Sequence, residues 1–121
     1  MAGMISIELH QLRFFAAHGV YEEEAKLENE FEVDLQISYT APENVITKID
    51  ETINYVSVYS IVKEEMGERK LLLETCAVHI IKRLKQVFPQ ISSISISIKK
   101  LNPPIPGFMG SVGVTYTHTW D

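Results

Sequence analysis

The sequence predicts an α+β fold in the order ββααββ, an antiparallel sheet carrying two helices on one face. Three observations predict it. Apolar and polar residues alternate with period two near both ends of the chain. Between those regions the apolar spacing lengthens to that of a helix. Proline stays out of the alternating runs and falls in the connections.

Each element has its own signature. In ISIELHQLRFF, Ile5, Ile7 and Leu9 alternate with Ser6, Glu8 and His10, which reads as a strand with one buried face. In FEVDLQISY, Phe31, Val33, Leu35, Ile37 and Tyr39 alternate with Glu32, Asp34, Gln36 and Ser38. The acidic stretch AAHGVYEEEAKLENE between them is too long for a tight hairpin turn. Pro42 and its polar neighbours end the pattern. Tyr55, Val58, Tyr59, Val62 and Met66 then fall at helical spacing, with Asn54 placed as an N-cap and Gly67 as a stop. A second helix carries a wide apolar stripe, Leu73, Cys76, Ala77, Ile80, Ile81, Leu84 and Phe88, with Pro89 just past its end. Ile94, Ile96 and Ile98 alternate with Ser95 and Ser97 in a third strand. After KKLNPPIPG, Val112, Val114 and Tyr116 alternate with Ser111, Thr115 and Thr117 in a fourth.

The 121 residues suit a single domain over 1–121, long enough to bury a core. The net charge of −5, without a dense Lys/Arg block, disfavours nucleic acid and anionic membranes as partners. Apolar runs are too short for a membrane span, and MAGMISIELHQ lacks the pattern of a secretory signal. Cys76 is the only cysteine, so no internal disulfide can form. A cytoplasmic protein fits all of this. An open sheet leaves two edges with unpaired backbone groups, so pairing with further subunits is expected; edges blunted by bulges and charges are the alternative.

Several residues could carry chemistry. Lys100 shares parity with Ile94, Ile96 and Ile98, so a strand persisting that far places its amine at the end of the apolar row. Desolvation there disfavours the charged ammonium, a usual route to an amine that works as a base. If the strand ends earlier, Lys100 simply reaches solvent. Three prolines nearby hold the following loop with little backbone freedom. Glu74 falls in the first turn of the second helix, where the helix dipole alone favours a carboxylate. It could also face a cleft and accept paired N–H donors from a planar ligand. Glu22, Glu23 and Glu24 read by themselves as a solvated loop, and Tyr55 as a core or staple residue. His10, His18, His79 and His118 show no metal-ligand spacing, and no phosphate-cradling glycine motif is present.

Together, LRFFAAHGVYEEE, ETINYVSVYSIVKEEM, LLLETCA and KKLNPPIPG resemble the dihydroneopterin aldolase family over nearly the whole chain. The resemblance implies the tunnelling fold, in which four ββααββ subunits join sheet edges into a barrel. Two rings commonly stack as an octamer, with active sites between adjacent subunits. It implies retro-aldol cleavage of 7,8-dihydroneopterin in folate biosynthesis without metal, Schiff base or added cofactor. It also implies roles for residues. Lys100 matches the catalytic general acid/base and Tyr55 a proton-relay tyrosine supplied by a neighbour. Glu74 matches the pterin anchor, and Glu24 the glutamate beside the hydroxylated side chain. Leu73 and Val20 match residues that add backbone or apolar contacts. Where many members carry Gly-Gln before the second strand, this chain has Glu28-Asn29, which puts the path of the Glu24 loop in question. Rival readings are a dihydroneopterin or triphosphate epimerase, a zinc-dependent pterin synthase on the same fold, and a non-catalytic pterin- or purine-binding ring. The histidine spacing speaks against the zinc enzyme.

Overall fold

The computed structural model describes residues 3–21 and 28–121. Strands β1 (Met4–Ala16), β2 (Asn29–Thr40), β3 (Ile91–Lys100) and β4 (Val112–Thr119) form one antiparallel sheet in sequence order. Between β2 and β3 lie a short 3₁₀ turn at Ile49–Glu51 and helices α1 (Tyr55–Gly67) and α2 (Leu73–Val87). Helix α1 packs on β1, and α2 packs on β3 and β4. The order and the one-sided helix layer are those read from the sequence.

One face of the sheet is the core. Phe31, Val33 and Ile37 of β2 and Ile94, Ile96 and Ile98 of β3 are fully buried. Val58, Val62 and Met66 of α1 and Cys76, Ala77, Ile80, Ile81 and Leu84 of α2 close over them. The other face is polar throughout β2 and β3, from Glu32 to Thr40 and from Ser93 to Lys99. Its side chains pair across strands: Ser6 with Ser38 at 2.9 Å, Thr117 with Ser95 at 3.0 Å, and Arg13 with Glu30 at 2.8 Å. Such pairs fit two hydroxyls or opposite charges placed directly across or diagonally on one face.

Two irregularities keep apolar residues on the core face. Between Leu9 and Leu12, two residues of β1, His10 and Gln11, oppose one of β2, Asp34, a bulge. Gln11 takes φ +54° there, and its N–H donates to Asp34 Oδ1 at 3.0 Å. Parity therefore flips, so Ile5, Ile7 and Leu9 precede the bulge while Leu12, Phe14 and Ala16 follow it on the same face. A second slip at Ser38/Tyr39 brings Ile91 into the core, although Ile94 has the opposite parity.

The phase of α1 differs from the sequence reading. Its buried stripe is Val58, Ile61, Val62, Glu65 and Met66, while Tyr55 and Tyr59 are exposed. The stripe includes a carboxylate, which hydrophobicity could not mark. Arg83 donates to Glu65 at 3.2 Å and His79 lies 3.9 Å from it, so the buried charge is paired. Asn54 caps the helix as expected, accepting from the Val56 N–H at 2.9 Å. No helix among the described residues is long and apolar enough to cross a membrane.

Candidate active site

The site begins at the end of β3. The ladder does persist: Lys100 pairs with Phe31 on one side and Val112 on the other, and Leu101 N–H donates to Glu30 O at 3.0 Å. Lys100 thus continues the isoleucine row and is only 8% exposed. Its Nζ lies 5.7 Å from the centre of the Phe31 ring, within range of a cation–π contact.

Beyond Lys100 the chain enters the proline segment. Ile105 N–H donates to Pro103 O at 2.8 Å, and Phe108 N–H donates to Ile105 O at 3.0 Å. The second bond closes a turn with Pro106 and Gly107 at its centre, Gly107 at φ +75°. Proline followed by a left-handed glycine is the signature of a type II turn. Fixed φ angles at Pro103, Pro104 and Pro106 hold this wall at low entropic cost.

The opposite wall comes from two segments bound to each other. One follows β1 (residues 17–21) and the other joins α1 to α2 (residues 68–72). Gly19 N–H donates to Lys70 O at 3.0 Å, and Lys70 N–H donates to His18 Nδ1 at 3.0 Å. The Arg69 guanidinium donates to the carbonyls of Ala17, Gly19 and Tyr21. Gly19 has φ +146°, a backbone angle open mainly to glycine.

Between these walls is a cleft of about 510 Å³, lined among others by Val20, Leu72, Leu73, Glu74, Lys100 and Pro104. That volume lies within the range of small-molecule sites. Helix α2 begins at the cleft, and its N-cap residue Leu72 offers no side-chain cap to the first-turn amides. The cleft therefore sets a carboxylate, helix-terminal amides and a buried amine around a mostly apolar space.

Of the residues singled out in the sequence, the structure brings Lys100, Glu74, Leu73 and Val20 to this one cleft. Tyr55 stands exposed at the start of α1 and is not among the lining residues. Glu24 lies outside the described residues. Glu28 is exposed just before β2; among the described residues the one non-glycine with positive φ is Gln11, so Glu28 does not need glycine's freedom.

The sequence profile of the dihydroneopterin aldolase family matches residues 7–117, nearly the whole chain. The chain belongs to the dihydroneopterin aldolase family. A dihydroneopterin aldolase of Streptococcus pyogenes is 35% identical over 113 residues, covering 92% of this chain and 95% of that one. Among solved structures, a Vibrio cholerae protein provisionally named dihydroneopterin aldolase superposes with a TM-score of 0.84 at 21% identity, covering 98% and 99% of the two chains. The Escherichia coli dihydroneopterin aldolase, solved in complex with neopterin, gives 0.77 at 18% identity over 94% and 98%. At those identities the two structures speak to the fold, which they share with this aldolase family member.

Sequence reasoning missed His18, which ties together the two segments of the cleft wall. Its ring is fully buried, with Phe31 edge-on at 5.2 Å and 69°. Burial, with the nearby charges of Lys70 and Lys100, lowers its pKa to about 4. Because Nδ1 accepts from an amide, the ring proton sits on Nε2, which lies 4.0 Å from Cys76 Sγ. Burial pushes the Cys76 thiol up to about 11, so that group is also neutral. Only the His-Gly pair ahead of an acidic run could have drawn attention to His18. The lone histidine gives no spacing signal.

Proposed function

We infer that this dihydroneopterin aldolase cleaves its substrate in the cleft between the residue 17–21 and 68–74 segments and the proline wall. The product pair is 6-hydroxymethyl-7,8-dihydropterin and glycolaldehyde. The observation that carries the reading is the position of Lys100, an amine buried at 8% exposure on the same cleft as Glu74. The Glu74 carboxylate accepts from the pterin 2-amino group and the adjacent ring N–H, a paired geometry. In this reading the Leu73 N–H, one of the amides that no side-chain cap meets at the start of α2, donates to a ring acceptor.

The chemistry asks mainly for proton movement. The 2′-hydroxyl loses its proton, and the C1′–C2′ bond breaks. C2′ leaves as the aldehyde carbon, and the bonding pair enters the ring C=N as an enamine. A proton then returns to C1′ and the ring imine re-forms. Because the substrate's own imine takes the electrons, neither a metal nor a lysine Schiff base is required. Lys100 carries the protons, partly through water, and shields the developing charge. Re-addition on the opposite face would give C2′ epimerisation as a side reaction.

Lys100 is the one cation among the described residues lining the cleft, which favours an unphosphorylated substrate over a triphosphate. Tyr55, exposed and outside the cleft, fits a relay role in a neighbouring chain's site. We therefore propose that the chain works as one domain in a homotetrameric ring or stacked octamer, in the cytoplasm. Glu24 stays the proposed contact to the hydroxylated side chain.

Incubation with 7,8-dihydroneopterin tests the reading by release of glycolaldehyde, unaffected by a strong chelator. Lys100→Ala is expected to cut kcat by about 10²–10⁴-fold, the range for a general acid/base, while neopterin binding changes less. Glu74→Ala is expected to weaken binding by roughly 10- to 100-fold, since the ligand's N–H pair goes unmet. No glycolaldehyde from the parent, or full turnover by Lys100→Ala, overturns the assignment.

A further inference from the structure

The two segments of one cleft wall, that carrying Val20 and that leading into Leu71–Glu74, are joined at Arg69, whose guanidinium reaches the carbonyls of Ala17, Gly19 and Tyr21, and at Lys70. Both of its backbone groups are taken by consecutive residues of the other segment: its N–H by His18 Nδ1 at 3.0 Å and its C=O by Gly19 N–H at 3.0 Å. Gly19 uses main chain alone, so its bond follows from backbone path. The His18 bond depends on a side chain. The ring is clamped for this purpose, fully buried and edge-on to Phe31 at 5.2 Å. Phe31 in turn lies beneath Lys100 Nζ at 5.7 Å.

We propose that His18 is a positioning residue of the active site: its neutral Nδ1 fixes the Lys70 amide, and so sets the Leu71–Glu74 segment at the distance a pterin ring needs. The role requires an acceptor at Nδ1, which only the uncharged ring supplies. Charged groups around the ring oppose its protonation: Lys70 and Arg69 from the α1–α2 connection and Lys100 from β3. The neighbour from α2, Cys76, is a neutral thiol that donates to Met66 Sδ at 3.7 Å. With the acceptor removed, the Lys70 N–H loses its partner; Gly19 N–H and the Arg69 guanidinium still join the two segments, so the first turn of α2 shifts rather than detaches. Lys100 keeps its place, because the β3 ladder to Phe31 and Val112 holds it independently. The effect should therefore appear in substrate binding more than in turnover. The inference rests on the cleft being the pterin site.

Three substitutions separate an acceptor role from packing. His18→Asn places an oxygen acceptor near the Nδ1 position, His18→Gln places it near Nε2, and His18→Ala removes it. Neopterin binding and steady-state kinetics are measured for the parent and each variant. Expected are a rise in Kd and KM of roughly tenfold for Ala and Gln, with kcat within about threefold, and recovery by Asn to within about threefold of the parent. Faster amide exchange at Lys70 in Gln than in Asn is expected alongside. If Ala fails to fold, the Asn–Gln pair decides alone. Equal affinities for Asn and Gln, or Ala binding as tightly as the parent, overturns the proposal while leaving the cleft reading intact. A parent that does not bind neopterin overturns the cleft reading, and this proposal with it.

Discussion

At the scale of single residues, parity on a strand was the most productive signal. It put Lys100 at the end of the isoleucine row on condition that the strand ran that far; the ladder does reach Lys100, and the residue is buried. Position alone put Glu74 and Leu73 in the first turn of the second helix, as it is observed, while their proposed site roles came only from the family resemblance. His18 was not legible, since its partner, the Lys70 amide, is 52 residues away and leaves no trace in local spacing. Its titration makes a prediction. The folded pKa of about 4 lies below the ordinary 6.5, so between these values the unfolded chain binds a proton that the native ring refuses. Stability from this group is complete above about pH 6.5 and falls as pH drops towards 4. The loss is about 3 kcal/mol. Urea midpoints of the parent should fall across that window by more than those of His18→Asn, which has no imidazole to titrate. Parallel falls in the two proteins would show that other groups dominate.

At the scale of elements, the strands and helices were readable because burial imposes a period, and their irregularities were not. The bulge at Gln11 exchanges odd for even on β1, so the alternation seen in Ile5, Ile7 and Leu9 could not be carried on to Phe14. The stripe of α1 was rotated towards its tyrosines because Glu65, a charged core residue, looked like surface. Gly113 was similarly hidden within the β4 run. A methyl group at its Cα would lie 2.7 Å from Ile98 O and 2.8 Å from Lys99 Cγ. The lysine stem can shift, but the carbonyl belongs to the β3 ladder and cannot. Gly113→Ala is therefore expected to destabilise the protein by about 1–3 kcal/mol, as overpacking does. Its melting temperature should drop by several degrees. Crowding this close to Lys100↔Val112, the next pair of the ladder, should also lower turnover. An unchanged melting temperature would mean that β4 slides outward at no cost.

At the scale of the whole molecule, the sequence made plain which sheet face is buried, and it could say little of what lies across the edges. Periodicity reports the environment above and below a strand, whereas edge pairing depends on backbone groups that every sequence shares. The monomer leaves β1 and β4 as the sheet's outer strands, with Val20, Tyr21, Leu71, Leu72 and Met109 exposed. Apolar side chains exposed in such number are better covered than wet. Tyr55 is 62% exposed and outside the cleft, so the proposed ring must bring it to a neighbour's Lys100 for it to act. That gives a test no monomeric enzyme can pass. Tyr55→Phe and Lys100→Ala are each expected to be nearly inactive. When the two variants are unfolded together and refolded as mixed rings, some sites join an intact Tyr55 from one chain to an intact Lys100 from the other. Random assembly should restore activity to about a quarter of the sites. The same variants refolded apart and then combined should stay inactive until subunits exchange. Mixed rings with no activity, once size and pterin binding show that they have formed, would mean that each cleft draws its tyrosine from its own chain or from none.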